Sequence, residues 1–171
     1  MNYAMVLDGK SQKGLQAYTD SDHAADLNTH RSTTGYVVKL ANAAISWTSH
    51  AQKTVAQSST EAEYMALSDT CRQVMWLKHM FGELGLPIDK VPIYADNNGS
   101  IFIGSNPIQE RRIKHIDVHY HYICEKVEDG EVEILRVDSN DNTADGFTKP
   151  VGRVLFVEFR KNLGLEFYSI Q

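Results

Sequence analysis

The chain has 171 residues, 42% of them hydrophobic and 23% charged, which suits one globular domain with a sizeable core and leaves no room for a second of ordinary size. A formal net charge of −5 argues against a simply basic nucleic-acid-binding module, although acidic clusters that hold metal ions lower the net charge in the same way. No apolar run nears the roughly 20 residues of a membrane span, no basic leader with an apolar stretch opens the chain, and Cys71 and Cys124 stand far apart without a CxxC, so the expectation is an intracellular protein with reduced core thiols.

In chain order, Tyr3 to Leu7 and Leu15 to Thr19 read as two strands of a hairpin about a turn-prone stretch. The second runs into Asp20, inside YTDSDHAAD. An aspartate closing a strand is ordinarily a turn residue, and Asp22 and Asp26, farther from the strand, suit that role better. After a polar stretch, Gly35 to Leu40 and Ala44 to Thr48 form a further hairpin, with Trp47 expected to cover one face of the sheet. His50 to Gln57 is a polar connection whose Lys53 is available to a phosphate or to solvent.

The longest helix is expected over Thr60 to Leu84, opened by SSTEAEYMAL. Ser58-x-x-Glu61 and Thr60-x-x-Glu63 both have capping-box spacing, but one cap needs one partner. Glu63 begins an apolar face and therefore points toward the protein, where a carboxylate needs a compensating partner such as a metal cation. Ala62, Met65, Ala66, Val74, Leu77, Phe81 and Leu84 recur at helical spacing, and Met75, Trp76 and Met80 widen that stripe as core packing. Gly85 and Pro87 end the helix.

Val91 to Ala95 reads as a short buried strand closed by Asp96, which repeats the arrangement at Asp20. In open α/β sheets the C-terminal ends of strands are where sites form. Asn97 to Gly99 make a turn, with Asn98 capping a short helix over Ser100 to Ser105. A substantial helix follows from Arg111 to Glu128, and its start gathers Arg111, Arg112, Lys114 and His115 as a small basic face or a solvated helix end. His115 and His119 have a spacing that can bind zinc, yet no glutamate follows His115 and neither a cysteine nor another fourth ligand is at hand, His121 notwithstanding. Glu131 to Val137 alternates as a half-exposed strand, a polar loop leads to Asp145 in TADGFTKP, and Val154, Leu155, Val157, Phe159 and Leu163 mark a closing amphipathic helix.

Asp20, Glu63, Asp96 and Asp145 each stand at a strand end or a helix start, positions that can converge on one cleft. Four carboxylates together repel strongly unless divalent cations neutralise them, and hard oxygen ligands select Mg²⁺ or Mn²⁺ over zinc. Two such ions about 4 Å apart can activate a water and stabilise the leaving oxygen of a phosphodiester. Periodicity alone does not single out these four among 22 acids.

The strings YTDSDHAAD, RSTTGYVV, ISWTSHAQKTVAQSSTEAEYMAL, DNNGSI, KHIDVHYHYICEKV and TADGFTKP, in this order, resemble the ribonuclease H domain of Ty1/copia-type LTR retrotransposon polyproteins. The likeness runs from about Leu15 to Pro150, and the residues before Leu15 resemble the region joining the reverse transcriptase to that domain. The resemblance implies an N-terminal extension over residues 1–14 and a ribonuclease H domain over 15–171 that includes the C-terminal helix. It implies an α/β, ribonuclease H-like fold: a five-stranded mixed sheet, its first three strands antiparallel, with helices on both faces and Tyr3 to Leu7 as an extra N-terminal strand.

Residue by residue, Asp20 matches the family's first acid, which bridges two ions, Glu63 the second and Asp96 the third. Asp145 matches the fourth, which holds the ion nearer the attacking water; Glu61 and Asp22 are then neighbours rather than ligands. The implied cofactor is two Mg²⁺ ions, with Mn²⁺ as a substitute. The implied reaction is hydrolysis of the RNA strand of an RNA–DNA hybrid, leaving 3′-hydroxyl and 5′-phosphate ends. Such an enzyme must sense 2′-hydroxyls on one strand, and Ser21, Gln57, Asn97 and Asn98 are polar residues near the acids that could supply contacts. Arg111, Arg112, Lys114 and His115 are placed near the substrate phosphates. The implied partners are the hybrid and the polymerase domain of the same polyprotein, with no membrane; the isolated domain is expected to be a monomer. The expected location is the cytoplasm, in virus-like particles where the source element is active, and not the secreted space.

Two departures stand out. Many family members carry a tryptophan where this chain has His23, and many cellular and retroviral ribonucleases H have a histidine in the loop before the fourth acid, where residues 138–143 contain none. Slower product release, or another proton carrier, would follow. One competing reading is a non-catalytic module that supports a polymerase or binds a partner, whose mark would be a lost acid; all four are present. Another is a DNA-cutting metal nuclease on the same fold, against which TADGFTKP weighs.

Overall fold

The computed structural model describes residues 2–11, 13–96 and 114–167, the first four of the last segment by backbone alone. Its main sheet has five strands: β2 (Gln16–Asp22), β3 (Thr33–Leu40), β4 (Ala43–Ala51), β5 (Val91–Ala95) and β6 (Val132–Arg136), in the order β4-β3-β2-β5-β6. β2, β3 and β4 are antiparallel, whereas β5 pairs parallel with both β2 and β6. The sheet is therefore mixed, with its first three strands antiparallel, as the resemblance implied.

Alternation of side chains along the strands divides the core between the two faces. Ala17, Val38, Ile93 and Val132 meet Leu67, Cys71, Val74 and Leu77 of helix α1 (Ser59–Glu83) and Ile123 of helix α2 (Lys114–Glu128). Tyr18 and Val37, one residue out of phase, face the other way. There they pack with Phe147 of the short helix α3 (Asp145–Thr148), Phe159 of helix α4 (Arg153–Asn162) and Leu163. Helices thus cover both faces.

The ends of α1 follow from its sequence. Ser58 caps it, and Gly85, at φ 76°, closes it with the Leu86 N–H donating to the Phe81 carbonyl at 2.9 Å and its own N–H donating to Gly82 at 3.0 Å. This is the Schellman pattern expected of a glycine just past a helix. The β3–β4 hairpin turns through Ala41 and Asn42, both at positive φ (49° and 64°), the twist that two-residue hairpins favour.

Three expectations are corrected, one of them Trp76, which was placed with the core stripe of α1 and is 57% exposed, while Met75 and Met80 do pack against the core. Tyr3 to Leu7 does not pair with Leu15 to Thr19: β1 (Tyr3–Met5) pairs antiparallel with β7 (Leu165–Phe167) in a separate two-stranded sheet. Both edges of β2 are taken, by β3 and β5, so the N-terminal run has no ladder to join there. It adds instead to the strand after α4, where Val6 donates to the Gly164 carbonyl at 2.8 Å and the Arg160 guanidinium lies 4.2 Å from the Tyr3 ring centre. Trp47 shares a face with its partner Val37 but is 56% exposed, because β4 is the outermost strand. Among the described residues no helix is long and apolar enough to cross a membrane.

Candidate active site

The register of the sheet delivers the first two acids. Tyr18 of β2 pairs with Tyr94 of β5 in parallel, and their rings stack with centres 4.9 Å apart. Asp20, still within β2, and Asp96, just past β5, each follow that pair by two residues, one full period of a strand, so they stand at the same end of the sheet. Asp20 is 2% exposed and Asp96 is half-buried.

Asp145 arrives on α3, whose position is set by the loop before it. The Asn142 side-chain amide donates to the Thr19 carbonyl at 3.0 Å, its oxygen accepts from the Ala144 N–H at 3.1 Å, and its own carbonyl accepts from the Asp145 N–H at 3.1 Å. Asn142 thus ties the start of α3 to the strand residue next to Asp20. The opposite side of α3 rests on Gly35, where a Cβ would stand 2.6 Å from Thr148 Cγ2 and 2.9 Å from Phe147 Cβ. Glycine is required here for close approach. As a result one carboxylate oxygen each from Asp20, Asp96 and Asp145 lie within 4.8 Å of one another.

Glu63 comes from the start of α1, and the structure separates the roles of the two glutamates there. Ser58 Oγ accepts from the Glu61 N–H at 3.1 Å, and Glu61 Oε2 accepts from the Gln57 N–H at 2.7 Å. Glu61 therefore serves the cap, and it does so buried, at 1% exposure, rather than in solvent. Glu63, two residues or about 200° further round the helix, turns to the sheet end. Its carboxyl is pushed up from 4.5 to about 8 by burial first, then by the charges of Asp20 and Asp96, with the Ser21 hydroxyl and Lys149 acting in the opposite sense. Asp20 is raised from 3.8 to about 6, by burial and by Asp145 and Asp96, against the pull of the Thr148 hydroxyl and of Lys149.

Two groups in the TADGFTKP string, to which sequence reasoning gave no role, complete the cluster. The Thr148 hydroxyl donates a short hydrogen bond to Asp20 Oδ2. The Lys149 ammonium lies 3.0 Å from Asp145 Oδ1 and 3.7 Å from Asp20 Oδ2. The signal for Lys149 was there to read: a lysine four residues after an aspartate on one helical turn, held just before a proline.

Of the expected substrate contacts, Ser21 is buried beside Glu63 and Gln57 is exposed at the foot of α1, held through its backbone N–H. Asn97, Asn98, Arg111 and Arg112 lie outside the described residues, as does the helix expected over 100–105. Lys114 and His115 open α2, but their side chains are likewise outside the description. Asp22 ends β2, half-buried, apart from the three clustered aspartates. His119 lies 3.3 Å from the Arg72 guanidinium.

Among the described residues the donor set is made of carboxylate oxygens, two of whose groups have their proton affinity raised, and it fits hard divalent cations such as Mg²⁺ or Mn²⁺. Among solved structures the chain resembles LC11-RNase H1, isolated from compost by a metagenomic approach, with a TM-score of 0.56 and 17% identity over 78% of this chain and 91% of that one. The fold is that of ribonuclease H, and its strand ends carry the acid cluster.

No protein-family model matches the chain. Curated relatives do: it is 38% identical over 96% of its length to the retrovirus-related Pol polyprotein from transposon RE1 of Arabidopsis thaliana. It is 41% identical over 92% of its length to the one from transposon TNT 1-94 of Nicotiana tabacum. The chain belongs with the ribonuclease H-fold domains of Ty1/copia-type retrotransposon Pol polyproteins, and it spans 11% and 12% of the length of these two relatives.

Proposed function

We propose that this chain is a hybrid-specific endoribonuclease, cutting the RNA strand of RNA–DNA hybrids during reverse transcription of a retrotransposon. The observation that carries the proposal is the meeting of Asp20, Asp96 and Asp145 within 4.8 Å, with Glu63 electrostatically coupled to them, at the strand ends of a ribonuclease H fold. LC11-RNase H1, of the same fold, has been solved in complex with an RNA/DNA hybrid.

In this reading Asp20, Glu63, Asp96 and Asp145 hold two Mg²⁺ ions, with Mn²⁺ able to substitute. Bound there, the cations supply Lewis acidity and a water activated near neutral pH. The chain's own work is positional. β2 and β5 fix Asp20 and Asp96 side by side, and Asn142 with Gly35 fixes the helix that carries Asp145. Thr148 holds one oxygen of Asp20, which orients the other. Glu63, with its proton affinity raised to about 8, must release its proton for the full set of ligands to form. Ser21 and Gln57, with Asn97, Asn98, Arg111, Arg112, Lys114 and His115, are assigned to the strands of the substrate. On this proposal the work takes place beside the polymerase domain of the same polyprotein, in the cytoplasm, within virus-like particles where the source element is active.

The test is a cleavage assay with labelled RNA–DNA hybrid, duplex RNA and duplex DNA, in Mg²⁺ and in Mn²⁺. Cleavage of the hybrid alone, abolished by chelation and by Asp96→Asn, is the expected outcome. Cutting of duplex DNA would sink the hybrid specificity, and no cleavage with either metal would sink the enzymatic reading.

A further inference from the structure

The acid cluster already contains a cation. We infer that Lys149 is a built-in counter-ion of the cation-free site, one that divalent ions must displace, so that it sets the metal concentration at which the site fills.

The placement of the ammonium is dictated locally. Pro150 disfavours the helical conformation for the residue before it, and α3 ends at Thr148, with Lys149 in an extended backbone at φ −126° and ψ 148°. Its N–H still donates to the Asp145 carbonyl at 3.1 Å, which holds the residue against the last turn. From there the side chain, four residues after Asp145, reaches Asp145 Oδ1 at 3.0 Å and Asp20 Oδ2 at 3.7 Å. The arrangement is more than a surface pair, because one partner, Asp20, is 2% exposed and belongs to the clustered triad.

Competition follows from distance. A divalent ion held by these carboxylates would stand in direct contact with their oxygens, and the ammonium 3.0 Å from one of the same groups would then face a like charge at close range. The Lys149 side chain is 44% exposed and can swing to water, whereas Asp20 cannot move without breaking its bonds to Thr148 and its place in β2. The lysine is therefore the group that yields. It relieves repulsion among the acids before metal arrives and raises the cation concentration needed to fill the site.

This inference rests on reading the acids as a divalent-cation site, and the experiment keeps the two apart. Mg²⁺ binding is measured by calorimetry on the purified chain without nucleic acid, at low salt, for the native protein, Lys149→Met, Lys149→Gln, Lys149→Arg and Asp96→Asn. Melting temperatures are taken in chelator and in Mg²⁺. Lys149→Met and Lys149→Gln should each bind Mg²⁺ about tenfold more tightly, melt lower in chelator and gain more from Mg²⁺ than the native chain, while Lys149→Arg stays near native. Equal or weaker binding by both neutral variants would overturn the inference and leave the metal site standing. Absence of binding by the native chain, or heat that survives Asp96→Asn, would overturn the metal reading and the inference with it.

Discussion

Glu63 and Asp20 retain their protons in the folded protein far above the pH at which an exposed carboxyl releases them, to about 8 and about 6 against reference values of 4.5 and 3.8. Well below pH 3.8 both states hold both protons, and this contribution to the stability of the folded state is fully present. As pH rises, the unfolded chain releases them first and the folded chain must either hold them or carry repelling charges. The folded state then binds more protons than the unfolded one, so the stability of the cation-free protein falls with pH until Glu63 has titrated, near pH 8. At about 1.4 kcal/mol per pKa unit the Glu63 shift alone amounts to several kcal/mol. The acids titrate as a coupled set, so part of this shift belongs to the set rather than to Glu63, which leaves on the order of 3 kcal/mol between pH 5 and pH 8.5. For a domain of this size that is about 6–12 °C in melting temperature.

The assay is calorimetric melting in chelator across that range, for the native chain and for Glu63→Gln. The variant lacks the titrating group but keeps the shape of the side chain, so its melting temperature should depend less on pH, and the difference between the two curves isolates Glu63 from the general effect of net charge. Saturating Mg²⁺ should flatten the native curve as well, because binding expels the proton. Parallel curves for the native chain and Glu63→Gln in chelator would refute the argument that Glu63 faces the other acids.

Other perturbations test how the cluster is held. Thr148→Val removes the hydroxyl that donates to buried Asp20 while preserving shape, and should cost about 1.5–3 kcal/mol in urea unfolding, the range for a hydrogen bond to a charged group. Gly35→Ala places a methyl 2.6 Å from Thr148 Cγ2, so α3 must lift from β3; the expected loss is about 1–3 kcal/mol, together with weaker Mg²⁺ binding because Asp145 rides on that helix. Asn142→Ala unties the loop from Thr19 and should cost about 1–3 kcal/mol, with Mg²⁺ affinity reduced alongside hybrid cleavage.

What could be read from the sequence, and what could not, divides by the range of the interaction. The ends of α1 were legible because capping and the Gly85 stop are written within a few residues of each other. The partner of β1 was not: local pattern marks Tyr3 to Leu7 as strand, but the choice between a nearby hairpin and distant β7 is decided by which ladder edge is free, and that depends on the whole sheet. Glu61 and Glu63 were equal by capping-box spacing, and it was the apolar face that Glu63 begins, with the resemblance, that set it toward the other acids. What the sequence did not show is that Glu61 is itself buried, its carboxylate taken by the Gln57 N–H. Asp20 and Asp96 were visible as acids closing strands, yet their convergence needed the parallel register that sets Tyr18 beside Tyr94, which no local signal encodes. Lys149 shows the limit most clearly. Its spacing from Asp145 is local, but its contact with Asp20 needs α3 seated on Gly35 and tied to Thr19, two constraints contributed by strands more than a hundred residues earlier. The same long-range constraints that hid the lysine's role hold the carboxylates close enough to repel, and a site strained in this way gives a divalent cation its driving force to bind.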